Sequence, residues 1–82
     1  MELTAAETAV LRRYEEKTRM AGGPRKGYVL RQDAIRYGAV ADAGIDLDAG
    51  LDGLLQKGLL SASEDRRFFF LTESAVDLLA SW

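Results

Sequence analysis

Eighty-two residues, 48% of them hydrophobic and 29% charged, suffice for one domain, residues 1–82, with a small core; at this size only about 60–65% of the unfolded chain's surface can be buried, which leaves little room for a deep cleft. The absence of cysteine and histidine removes thiol nucleophiles, Cys/His zinc sites, imidazole general bases and disulfides together, and no set of residues suggests catalysis, a cofactor or a resident metal. The net charge of −2 is unevenly spread: residues 1–45 carry eight basic against six acidic side chains, whereas residues 46–82 carry three against seven.

The N-terminal segment MELTAAETAV has neither a basic leader nor an apolar run long enough for a signal peptide or membrane span, so a cytoplasmic protein without membrane contact is expected. Thr4 and Glu7 have the spacing of a capping box and should start helix 1. Leu3, Ala6, Val10, Tyr14 and Leu11 fall on one side, leaving Arg12, Arg13, Glu15 and Glu16 for solvent. Gly22-Gly23-Pro24 should end the helix just after Met20, and AGGPRKG then forms a connector.

Tyr28-Val29-Leu30 reads as a short strand that pairs with a later hairpin. Helix 2 is expected from Arg31 to about Ala43, with Ala34, Ile35, Tyr37, Val40 and Ala41 on its buried side and Gly38 allowing close helix packing. Gly44 stops it and Ile45 packs back. Asp46 then caps helix 3, whose Leu47, Leu51, Leu54 and Leu55 form an apolar stripe. Two helices joined so tightly form a helix-turn-helix.

Gly58 ends helix 3, and Leu59-Leu60 open a hairpin with its turn at Ser61–Asp65 and its return strand from Arg66 to Leu71. Period-2 alternation places Phe69 and Leu71 inside and turns Phe68 and Phe70 outward. Thr72 caps a last helix lined by Ala75, Val76, Leu79 and Trp82. The expected fold class is therefore α+β, mainly α, in the order helix, strand, helix, helix, two-stranded wing, helix.

That order looks like a winged helix-turn-helix domain. The segment Arg66-Arg67-Phe68-Phe69-Phe70-Leu71-Thr72-Glu73 resembles the wing and last-helix entry of PadR-like transcriptional regulators, in which two basic residues, an aromatic pair and Leu-Thr recur. More distantly, Asp65-Arg66-Arg67 resembles the wing tip of MarR-like regulators. Two departures stand out: Ala75 occupies a position where those families often place glycine, and the helix-turn-helix is about one turn short between Gly44 and Gly58. The resemblance implies DNA binding and transcription regulation. Helix 3 would enter the major groove in such a domain, yet its outward side shows Asp46, Asp48, Ala49, Gly50, Asp52, Gly53, Gln56 and Lys57, so acids would meet phosphates.

The wing is the better basic candidate. Arg66 and Arg67, together with Lys26 and Arg31 near the start of helix 2, are the expected nucleic-acid contacts; Arg25 and Arg36 belong to the same basic cluster. A local ion pair with Glu64 or Asp65 is the alternative use of the two wing arginines. The rival function is a protein-interaction module in which Ala49, Gly53, Phe68, Phe70 and Trp82 form the partner interface, with a homodimer packed through Trp82 as its simplest form. The Asp46–Asp52 run has part of an EF-hand spacing. It fails as a calcium loop because Leu51 and Lys57 stand at the positions that need glycine and glutamate.

Overall fold

In the computed structural model, which describes residues 2–37 and 44–82, the first element is helix α1, Ala5–Thr18. Both halves of the capping box form: the Glu7 N–H donates to Thr4 Oγ1 at 3.1 Å, and the Thr4 N–H donates to Glu7 Oε1 at 2.8 Å. A 3-10 turn, Arg19–Ala21, leads to Gly22 at φ +95°, a left-handed stop that glycine adopts without strain.

Strand β1 (Val29–Arg31) passes straight into α2 (Gln32–Arg36), which is a single short turn of helix and stops well before Ala43. Tyr37 is already extended, with φ −71° and ψ 158°, and is 71% exposed, so it does not join the buried side assigned to it. Ile35 is fully buried and Ala34 partly so. With so few apolar anchors, α2 depends on tertiary contacts such as Arg13 Nε donating to the Ala34 carbonyl at 3.0 Å. Gly38, Val40 and Ala41 lie outside the described residues.

Helix α3 (Leu47–Gln56) is capped by Asp46, whose carboxylate accepts from the Ala49 N–H at 3.1 Å, and it buries Leu47, Leu51 and Leu54. After Gly58, at φ +72°, the chain enters a hairpin of β2 (Leu60–Ala62) and β3 (Phe68–Leu71). β3 starts two residues later than expected, because Arg66 and Arg67 belong to the hairpin loop. In that loop, side chains supplement the backbone bonds from the Ser63 N–H to the Phe68 carbonyl and from the Arg66 N–H to the Ser63 carbonyl: Asp65 Oδ1 accepts from the Ser63 hydroxyl at 2.7 Å and the Arg67 N–H at 3.1 Å, and the Phe68 N–H donates to Ser63 Oγ at 3.1 Å.

The three strands form an antiparallel sheet in the order β1-β3-β2. Leu30 lies opposite Phe69 and Leu60 opposite Leu71, all four buried on the inner face; Val29 and Ser61 flank Phe70 on the outer face, where Arg31 lies opposite Phe68. The alternation expected of the three phenylalanines is therefore present. Thr72 caps α4 (Glu73–Leu79), accepting from the Ala75 N–H and donating to the Gly58 carbonyl at 2.6 Å.

The fold is α+β and mainly helical, with its buried apolar side chains in one cluster between α1, α3 and the sheet. Tyr14 ties the layers together by donating its buried hydroxyl to the Phe69 carbonyl at 2.7 Å; burial, with Tyr28 nearby, pushes that phenol well above its ordinary range. Among the described residues no helix is long and apolar enough to cross a membrane.

Candidate functional site

The start of α2 and the end of the hairpin loop are stitched together by the Gln32 N–H, which donates to the Arg67 carbonyl at 2.8 Å. Around this bond Arg31, Gln32, Asp33, Arg36 and Arg67 line an open concavity of about 270 Å³. Three guanidinium groups, from β1, α2 and the hairpin loop, thus surround a site with one carboxylate. Arg31 Nε stands 3.7 Å from Asp33 Oδ1 and Arg67 Nε 3.8 Å from Asp65 Oδ2, with all four side chains more than half exposed. Contacts that long and that wet bind weakly and leave the arginines free to take another anion. Asp65 is also committed elsewhere: the Ser63 hydroxyl, then the Arg67 N–H, hold its carboxyl below the usual aspartate range.

Arg66 behaves differently from its neighbour. Its backbone sits at φ +56°, and its side chain folds back to place Nη2 2.7 Å from Asp52 Oδ1 on α3, with the guanidinium 5.9 Å from the centroid of the Phe69 ring. The intramolecular partner is therefore Asp52, not Glu64 or Asp65. Lys26 is exposed in the loop before β1 and does not line the concavity, while Arg25 lies over Tyr28 at 5.7 Å. Arg36 was only a neighbour in the sequence cluster; the short α2 brings it to the site.

The smooth outward strip expected of Ala49, Gly50 and Gly53 is divided. Gly50 is buried against α1, where an added Cβ would lie 3.0 Å from the Ala6 carbonyl oxygen, and a Cβ on Gly53 would lie 1.8 Å from Glu7 Oε2. Ala49 stays exposed, with Asp48, Asp52 and Gln56. Glu7 fills the space that Gly53 leaves, its side chain only 4% exposed, and pairs with Lys57, which also donates to the Glu2 carbonyl at 3.0 Å. Burial pushes the Glu7 carboxyl up, but the Lys57 ammonium and the Thr4 N–H outweigh it and hold the group below its ordinary value. A signal for this was available: Glu7 lies four residues from both Leu3 and Leu11, in the middle of the apolar stripe.

On the outer sheet face Phe68 is 39% and Val29 42% exposed, while Phe70 is half-buried between its cross-strand neighbours. Trp82, 48% exposed, lies on a different face, with the Arg12 guanidinium 5.7 Å from its ring centroid; together with Leu3, Thr8, Glu15 and Leu78 they line a groove of about 560 Å³. Among the described residues no group of three or more acidic side chains gathers to hold a metal ion. Compared with known protein families, curated proteins and solved structures, the chain matches none of them.

Proposed function

We propose that the chain is a winged helix-turn-helix domain that binds DNA and acts in transcription regulation, with its contacts at the root of the wing rather than on α3. The element order, and a sheet in which β1 pairs with the return strand of the β2–β3 hairpin, support that layout. The observation that carries the function is the convergence of Arg31, Arg36 and Arg67 on one open concavity. Arginine forks suit phosphate oxygens, and neutralising phosphates releases counterions, the main source of sequence-independent affinity. The exposed acids of α3 oppose insertion of that helix into a groove. Lys26 adds long-range attraction from its loop, and Arg66, held by Asp52, adds less than Arg67.

Titration against random-sequence duplex DNA at low salt tests this reading. The wild type binds; the triple variant Arg31→Ala, Arg36→Ala, Arg67→Ala binds at least about tenfold more weakly, with the log–log salt slope reduced by about 1 per arginine. Arg66→Ala changes little. No detectable binding of the wild type at low salt overturns the proposal.

A second reading, a protein-interaction module, rests on Trp82 and its groove between α1 and α4. A half-exposed indole beside a concavity suits the anchor of a homodimer. Sedimentation at high concentration decides it: association lost in Trp82→Ala supports the dimer, and a strict wild-type monomer removes it.

A further inference from the structure

The outer face of the sheet joins aromatic rings directly to the arginine cluster. Side chains directly opposite each other on paired strands share a face, so Arg31 stands beside Phe68, and Val29 and Ser61 stand on either side of Phe70. Phe68 and Phe70, two residues apart on one strand, are spaced by about 7 Å. Arg31 also lines the concavity with Arg36 and Arg67. One strip therefore runs from Phe70 through Phe68 to three guanidinium groups. Among the described residues the arginines lying over aromatic rings are Arg12, Arg25 and Arg66, over Trp82, Tyr28 and Phe69, so Phe68 and Phe70 keep their π-faces clear of such cover.

We propose that this face is a platform for single-stranded nucleic acid, on which bases stack against Phe68 and Phe70 while the phosphates lie along Arg31, Arg36 and Arg67. The inference rests on the nucleic-acid reading above and names the form of strand. In a duplex each base is stacked on its neighbours, so the two rings would find no partner. A single strand offers base faces and phosphates at the same time. Charge complementarity separates this occupant from a protein segment: an apolar strip alone would suit either, but three arginines against one carboxylate at its end favour a polyanion. Stacking is tolerant of base identity, so little sequence preference is expected. The acidic exposed face of α3 is no obstacle, because a single strand has no groove for that helix to enter.

Fluorescence anisotropy with a short labelled oligothymidylate and a random-sequence duplex of equal length tests the platform. The oligothymidylate binds more tightly than the duplex. Phe68→Ala weakens oligothymidylate binding about tenfold and leaves duplex binding unchanged, Phe68→Tyr, which keeps the ring, restores it, and the triple arginine variant weakens both ligands. Circular dichroism melts confirm that Phe68→Ala is folded. Duplex binding equal to or tighter than that of the single strand, or Phe68→Ala without effect on the oligothymidylate, overturns the platform while the arginine site stands. Absence of binding to either ligand at low salt overturns both readings. Retention of a protein that Phe68→Ala releases, with the oligothymidylate affinity unchanged, assigns the face to a protein partner and overturns the platform as well.

Discussion

Glu7 does two jobs with one carboxylate: it closes the capping box of α1 and, from a nearly buried position above Gly53, receives Lys57 from the end of α3. Lys57→Ala leaves that carboxylate without its ion partner and should cost about 1–2 kcal/mol in chemical denaturation. Gly53→Ala separates two opposing effects. Helix propensity favours alanine by about 1 kcal/mol, but the new methyl group would collide with Oε2 of a carboxylate whose Oε1 is held by both the Thr4 N–H and Lys57, so the single variant should be destabilised. Once Glu7→Ala has cleared the space, the same substitution should stabilise, which a double-mutant cycle reads as strong coupling. Acid dependence follows from the lowered folded-state pKa. Glu7 contributes its stability above its ordinary value of 4.5, and the contribution is lost as pH falls below that and through the depressed value. The stability difference between wild type and Glu7→Gln, followed by thermal melts, should therefore shrink below about pH 4.5.

At the level of elements, the junction between the hairpin and α4 depends on the Thr72 hydroxyl, which bonds both the Ala75 N–H and the Gly58 carbonyl. Thr72→Ala should cost about 1–2 kcal/mol by urea midpoint, and Thr72→Ser, which keeps both bonds, much less. Punctuation of this kind is legible in sequence, since Thr4, Gly22, Asp46, Gly58 and Thr72 act through the residues next to them. The end of α2 was not legible: the apolar spacing continues past Tyr37, yet the backbone at that exposed residue is already extended. The hairpin loop was misplaced for a similar reason. A basic pair before an aromatic run reads as strand, yet Ser63 and Asp65 compete for its backbone and Arg66 takes a left-handed conformation. That conformation costs an arginine roughly 1–2 kcal/mol, and the exposed Asp52 contact returns only part of it. Arg66→Gly should consequently be neutral to slightly stabilising, the relief of strain being offset in part by glycine's extra freedom in the unfolded chain, and Arg66→Ala, which keeps the strain and loses the contact, mildly destabilising, as thermal melts of the two variants would show.

Over the whole molecule one small core supports every surface described. An 82-residue domain has roughly 4–12 kcal/mol of net stability, and Phe69, fully buried against both flanking strands, should cost about 3–5 kcal/mol when replaced by alanine. Phe69→Ala is expected to remove a large share of that stability, visible as a sharply lowered melting midpoint. The core was readable from apolar spacing. The site was readable in part: Arg31, Arg36 and Arg67 were basic candidates, but their meeting depends on the pairing of β1 with β3 and on the bond from Gln32 to Arg67, contacts that span thirty-five or more positions of sequence and leave Lys26 outside. The central position of β3 has a further consequence, for self-association. Phe-Phe-Phe-Leu is strongly β-prone and uncharged, and in an unfolded chain such a segment pairs readily with its own copies. In the native sheet both of its edges are taken, by β1 and β2, and the new edges are strands of three residues each, too short to template much growth. Arg66 and Arg67 stand at its entry as charged gatekeepers while the chain is still open. Refolding yield should accordingly fall with protein concentration, and fall further in Arg67→Ala, so that the arginine offered to phosphates in the folded protein also guards the chain before it folds.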